Sequence, residues 1–162
     1  MPMKHWLVYL CLTAVVVATG NLPFTSSDVG QLRPVQTIAL SIQADQVVVQ
    51  TDTGDRGIGD SWPTAWADLV LTAPGTIFVG TAGFLLLEES ATGLLPQLLE
   101  DQALSPNCAL CQVSEAVDLT TAGEFLTAHT PDMTLRTARA ESGPLPKLMV
   151  EDGRYCLVQP GN

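Results

Sequence analysis

Basic side chains are scarce in this chain. Its 162 residues include only 7 Lys and Arg against 17 Asp and Glu, which gives a formal net charge of −10 at pH 7. Nucleic-acid binding needs clustered Lys and Arg against the phosphates, and docking on anionic lipid needs a basic face. The composition therefore argues against both kinds of partner. With 46% apolar residues, the chain can still bury a substantial core as one domain.

The common catalytic signatures are also missing. There is no Gly-x-Ser-x-Gly motif, and the glycine-rich stretch 54–60 lacks the Lys-Ser/Thr ending of a phosphate-binding loop. His129 is the only histidine outside the N-terminal segment, and it stands at the expected end of a helix, where histidine commonly acts as a cap. The sequence thus predicts no catalytic, cofactor-binding or metal site. We expect a protein that is not an enzyme.

Cysteine is limited to Cys11, Cys108, Cys111 and Cys156. Cys11 lies in the N-terminal apolar run, so an odd number remains, and one bridge from Cys156 to Cys108 or Cys111 would leave a spare thiol. Cys108 and Cys111 have redox-pair spacing, but such pairs usually begin a helix and this segment is predicted to be extended. A structural zinc site needs four ligands, and beyond the pair only Cys156 and His129 remain, at no recognised spacing. Buried packing is the favoured interpretation.

Three aspartates stand among glycines in the stretch 51–60, which precedes a predicted helix. Oxygen-rich loops can bind calcium, but this one matches neither the twelve-residue helix-loop-helix pattern nor a repeated glycine-rich nonapeptide. We therefore expect a solvated loop between a strand and a helix. The aspartates are Asp52, Asp55 and Asp60, and the glycines are Gly54, Gly57 and Gly59.

The N-terminus has the layout of an export segment. Lys4 precedes an almost unbroken apolar run over 6–19, and small residues follow at the end of that run. This pattern predicts either a signal peptide over 1–20, cleaved after Gly20, or an uncleaved membrane anchor of marginal length. Residues 21–33 are predicted to be a polar linker, and 34–162 a single domain.

Within residues 34–162, strands and helices alternate. Period-two patterns predict a hairpin around Ala44-Asp45 and a second one around Asp152-Gly153, whose Asp-Gly sequence is the strongest short hairpin signal. Further strands are predicted at 77–79, 84–87 and 108–113. Helices are predicted after Ser61, from 88–90 onward and after Asp118. The sequence therefore predicts one α+β domain with a mixed sheet packed by about three helices. The predicted core is Trp66, Leu69, Phe78, Leu85, Leu87, Leu95, Leu98 and Phe125.

Five stretches together have the layout of a known family: Gly57-Ile-Gly-Asp-Ser61 with Ala65 and Leu69, Thr76 to Gly80, Phe84 to Ala91, Leu94 to Leu99 and Cys108 to Val113. Their residues and order resemble the first domain of spore germinant-receptor C subunits. Members of that family begin with a lipoprotein signal ending in Gly-Cys and usually have three domains. Here Asn21 stands where the lipid-bearing cysteine would be, and the chain has room for about one domain.

The resemblance implies a spore-germination module without catalytic residues, located outside the cytoplasm and acting through contacts with membrane receptor subunits. Because Asn21 has no thiol, retention at the membrane would depend on an uncleaved N-terminal helix. The alternative is an exported thiol or disulfide-active protein that uses Cys108 and Cys111. Neither interpretation specifies the oligomeric state.

Overall fold

Local sequence signals set most of the elements in the structure. The computed structural model describes residues 32–141 and 143–161, and the chain from Leu32 onward forms one compact unit. The strands are β1 (Leu32–Pro34), β2 (Thr37–Gln43), β3 (Gln46–Thr51), β4 (Arg56–Gly59), β5 (Thr76–Phe78), β6 (Phe84–Glu88), β7 (Ala109–Val113), β8 (Lys147–Glu151) and β9 (Arg154–Val158). The α-helices of this part are α1 (Trp62–Thr72), α2 (Leu95–Glu100), α3 (Leu119–Ala128) and α4 (Leu135–Ala140). Two 3-10 turns, Val79–Thr81 and Glu89–Leu94, complete it.

Seven strands form a mixed sheet in the order β4-β3-β2-β6-β7-β8-β9. The four central strands β2, β6, β7 and β8 are parallel. Antiparallel pairs extend the sheet on both sides, with β3 and β4 beyond β2 and with β9 beyond β8. The prediction of an α+β domain with a mixed sheet is confirmed. A separate two-stranded sheet pairs β1 with β5 in parallel.

Each face of the sheet has its own core. The first core cluster lies on the face that packs α1, α2 and α4, and it includes Leu69, Leu85, Leu98 and Leu135. The second core cluster lies on the opposite face, beneath α3, and it includes Leu86 and Leu126. Because β6 is covered on both faces, it is apolar at four consecutive positions, as central parallel strands usually are.

Two glycines allow α1 to lie directly on β4. A Cβ atom at Gly57 or Gly59 would meet the backbone of Ala65 on α1. The helix also seals the outer edge of β4, because the Asp68 carboxylate accepts a hydrogen bond from the Ile58 backbone N–H at 2.9 Å. An unpaired sheet edge is otherwise a template for strand addition, so this side chain closes one end of the sheet.

A third glycine brings α3 close to β2 on the other face. A Cβ atom at Gly123 would lie 2.5 Å from the Thr37 hydroxyl oxygen. Thr37 is fully buried, and its hydroxyl has no hydrogen-bond partner among the described residues. Any larger side chain at residue 123 would collide with this oxygen, so the contact between α3 and β2 depends on the glycine. The unpaired buried hydroxyl itself costs free energy.

Several boundaries differ from the sequence predictions. The stretch 51–60, predicted to be a loop, contains β4, because its glycines serve close packing rather than flexibility. The chain after Glu88 first forms a 3-10 turn, and α2 begins only at Leu95, with Pro96 in its first turn, where a missing N–H is tolerated. Helix α4 was not predicted. Strand β1 overlaps the end of the predicted 21–33 linker.

The predicted core is correct in part. Leu69, Leu85, Leu87 and Leu98 are fully buried, while Trp66, Leu95 and Phe125 are half-buried and pack against the two clusters. Phe78 was predicted to be buried and is 47% exposed. In β5, Ile77 faces the first core cluster. Successive side chains of a strand point to opposite faces, so Phe78 points outward.

The predicted signal or anchor segment, 1–20, lies outside the described residues, as does most of the predicted linker. In the part of the chain that the structure describes, no helix combines the length and apolar character needed to cross a bilayer.

Candidate functional site

The two cysteines with redox-pair spacing lie on opposite sides of the sheet. Cys108 belongs to the first core cluster and Cys111 to the second. Three residues of extended chain separate their Cα atoms by about 10 Å, beyond the roughly 7 Å that a disulfide spans. Burial raises the pKa of each thiol to about 12. This geometry argues against an internal dithiol pair, and therefore against the thiol-active alternative.

The proposed bridge from Cys156 is also absent. Cys108, Cys111 and Cys156 are all free thiols, and only Cys156 is exposed. Cys156 lies on β9 opposite Met149 of β8, whereas Cys108 and Cys111 belong to β7 and the residue before it, with β8 in between. Of the two alternatives that the sequence leaves open, the structure shows no bridge, and buried packing holds for Cys108 and Cys111 but not for Cys156. Cys108 packs in the first core cluster and Cys111 packs in the second.

Two of the three aspartates in the stretch 51–60 use their carboxylates internally. The Asp55 carboxylate accepts hydrogen bonds from Arg33 at 2.9 Å and from the Thr53 hydroxyl at 2.6 Å. Asp52 accepts the backbone N–H of Gln36 with both carboxylate oxygens, at 3.1 and 3.3 Å. No group of three or more metal-ligating side chains occurs among residues 32–141 and 143–161. Asp55 therefore fastens the turn after β3 to β1, and Asp52 fastens it to the residue before β2.

Both ends of α3 are closed by side chains that the sequence identified. Asp118 accepts a hydrogen bond from the Thr121 backbone N–H at 2.8 Å. Hydrogen bonds from the Thr121 hydroxyl and backbone lower the pKa of Asp118 below its usual range. At the other end, the His129 ring stacks on Phe125 with 4.4 Å between ring centroids, and its Nδ1 lies 3.1 Å from the Phe125 carbonyl oxygen. Both residues therefore have structural roles.

Asp101 also has a structural role. Its carboxylate accepts a hydrogen bond from the Trp62 indole N–H at 2.6 Å and another from the Ala103 backbone N–H at 2.8 Å. The Arg139 guanidinium donates to the carbonyl oxygens of Leu99 and Asp101 at 2.6 and 2.9 Å. These bonds tie α1 and α4 to the end of α2. Asp101 is therefore used to hold the helices together.

Three large apolar side chains at and after the end of α1 are exposed. Val70 and Leu71, in the last turn of α1, are 44% and 84% exposed, and Phe78 follows soon after in the chain at 47%. Asp68 is the only charged residue in α1, and its carboxylate is bonded to β4. A surface helix normally has a charged or polar outer side. We call Val70, Leu71 and Phe78 the apolar surface set.

Sequence reasoning missed this set because Phe78 is in the predicted core and Val70 shares the helical spacing of Trp66 and Leu69. The available signal was the composition of α1, where apolar residues occupy positions on all sides of the helix. A helix that is apolar all round is normally covered on all sides. The described residues cover only one side of α1.

Comparison of the chain with family models, curated proteins and solved structures gives no match. The class that the structure itself defines is a mixed-sheet α+β domain with a core on each face.

Proposed function

We propose that this chain is a non-enzymatic module of the cell envelope that acts through protein–protein contacts. The observation that supports the proposal most directly is the apolar surface set. Removing exposed apolar groups from water is favourable, and α1 has no free charge that a partner would have to desolvate. The surface therefore suits a protein partner better than a small polar substrate.

The proposed partner is a membrane receptor subunit of the germination type, and the proposed location is the outer face of the cytoplasmic or spore inner membrane. Two sequence features support this finer proposal: the apolar run at 6–19 and the order of elements from Gly57 to Val113. The net charge of −10 supports a protein partner over nucleic acid or an anionic lipid surface.

The test compares two variants of the tagged full chain, produced in its own cells during sporulation. Leu71→Asp places a carboxylate at the most exposed member of the apolar surface set. Ala128→Asp adds the same charge in the last turn of another helix, α3, where residue 128 is also exposed. We expect wild-type protein and Ala128→Asp to co-purify with a membrane receptor subunit identified by mass spectrometry, and Leu71→Asp to lose it.

Two results would contradict the proposal. One is equal recovery of the subunit with both variants, which would remove the role of the apolar surface set. The other is a wild-type protein found only in the cytosol of vegetative cells, which would remove the envelope location. N-terminal sequencing of the same material distinguishes a cleaved signal, beginning at Asn21, from an anchor that keeps Met1.

A further inference from the structure

Within the described residues, only one of the two outer edges of the seven-stranded sheet is closed. Asp68 bonds to the outer edge of β4, whereas no strand among the described residues pairs with the outer edge of β9. An open edge presents a row of backbone N–H and C=O groups that can pair with another strand. The outer edge of β9 is therefore the place where the sheet can be extended.

The hairpin turn determines which groups of β9 point outward. Asp152 and Gly153 have φ of 48° and 72°, as in a two-residue type I′ turn, which makes Glu151 and Arg154 a hydrogen-bonded pair. Hydrogen-bonded and non-hydrogen-bonded pairs alternate from there. Cys156 therefore bonds to β8, while the N–H and C=O groups of Tyr155 and Leu157 point away from it.

We propose that a second copy of this chain occupies this edge, with the two β9 strands antiparallel and Cys156 on the two-fold axis. Tyr155 of each copy then exchanges hydrogen bonds with Leu157 of the other, so all four outward pairs of backbone groups are satisfied. On one face, these side chains continue the second core cluster, against which both already pack. On the other face, Cys156 of each copy meets its counterpart, next to Met149.

Local charge favours a second copy here despite the acidity of the chain. The hairpin from Lys147 to Val158 has two bases, Lys147 and Arg154, and two acids, Glu151 and Asp152. It is therefore neutral within a chain of net charge −10. Two acidic molecules approach each other at least cost through a neutral surface, and Val158, at 40% exposed, adds apolar contact.

This arrangement makes a specific prediction about cysteine geometry. A non-hydrogen-bonded antiparallel pair has its Cα atoms about 4.5 Å apart, which lies within the range of disulfides. Oxidised glutathione would supply the oxidant: two Cys156 thiols lose two protons and two electrons, an S–S bond forms between the copies, and the glutathione disulfide is reduced to two thiols. In the same arrangement, Val158 of one copy would lie opposite Arg154 of the other and far from the other copy's Val158.

The experiment therefore compares two full-length chains in a Cys11→Ser background, each with one exposed thiol on the same face of β9. One keeps Cys156, and the other carries Cys156→Ser with Val158→Cys. Pairing raises the effective concentration of the two Cys156 thiols, so we expect their intermolecular disulfide to form at least about tenfold faster than that of the control. Peptide mass spectrometry would identify the bond. Equal rates in the two chains would overturn the proposal.

A second variant tests the pairing without oxidation. Cys156→Lys would place two ammonium groups opposite each other across the axis, whereas the side chain is exposed in the single copy. Sedimentation velocity under reducing conditions should show dimers for wild type and for Gln97→Lys, which adds the same charge at an exposed site on α2. It should show loss of the dimer for Cys156→Lys. A wild-type chain that stays monomeric, or a dimer that survives Cys156→Lys, would contradict the proposal.

Discussion

The face of the sheet on which a side chain lies determines its neighbours and its burial, as the three cysteines show. Cys108 and Cys111 look like a functional pair in sequence, yet the two-residue period of a strand sends them into different cores. Cys156 looks like the odd residue and is the exposed one. Spacing in sequence therefore gives the wrong grouping of these three thiols.

Thiol labelling follows from this difference in burial. With a pKa of about 12, Cys108 and Cys111 are ionised at pH 8 to only about one part in 10⁴, and their burial also blocks access. We expect a maleimide to modify Cys156 quickly in the native protein and the other two only after unfolding in denaturant. Digestion and mass spectrometry give the rate at each site. Fast native labelling of Cys108 or Cys111 would revive the thiol-active alternative.

Asp118 should make the stability of the protein depend on pH. Its lowered native pKa means that its contribution is complete above the unfolded pKa of about 3.9 and is lost as pH falls through the native value. In Asp118→Asn, which keeps an oxygen acceptor at the N-cap, the melting temperature should fall less over that acidic range than in wild type. Asp152→Asn changes a carboxylate in an exposed turn and serves as the control. Parallel acid profiles for wild type and Asp118→Asn would contradict this role.

Elements with strong local signals could be predicted from the sequence. Ser61 and Asp118 begin helices as expected, and Asp152-Gly153 forms the expected hairpin. Elements that depend on distant contacts could not. Strand β4 is recognisable only once α1 lies on Gly57 and Gly59, and α4 has six residues, too few to show a clear helical period.

The candidate surfaces were less predictable than the fold for the same reason. Val70 has the spacing of a core residue on α1, and only the position of the sheet shows that it points outward. The open edge of β9 depends on strand order, which no local pattern in the chain records.

The contact between α3 and β2 predicts that the effect of Gly123→Ala on stability depends on whether residue 37 is threonine or alanine. Alone, Gly123→Ala should destabilise the protein, because its Cβ would lie 2.5 Å from the Thr37 hydroxyl oxygen. In a Thr37→Ala background that oxygen is gone, and Gly123→Ala should be neutral or stabilising, by up to about 1 kcal/mol from helix propensity. Chemical denaturation of all four proteins gives the coupling free energy. Additive effects of the two substitutions would contradict the close contact.

At the scale of the whole molecule, stability should depend more on the side chains of β6 than on the exposed ring of Phe78 in the small sheet. Leu85 is fully buried in the first core cluster, so Leu85→Ala should lower the free energy of unfolding by about 2–5 kcal/mol. Phe78→Ala should cost less than about 1 kcal/mol, because the ring is exposed. Urea denaturation followed by circular dichroism measures both. A larger loss for Phe78→Ala than for Leu85→Ala would mean that the Phe78 ring, and not only Ile77 of the same strand, is part of the first core cluster.

The bond from Asp68 to β4 also limits how large an assembly this fold can build. Strand addition needs an open edge on each joining molecule, and a molecule with two such edges would grow into a fibre of unlimited length. Here one end of the sheet is terminated by its own helix. As the described residues show it, the seven-stranded sheet is thus monovalent for strand addition: once its edge at β9 is occupied, growth stops at a closed pair. The Asp68 carboxylate therefore limits assembly through this sheet to a pair of molecules.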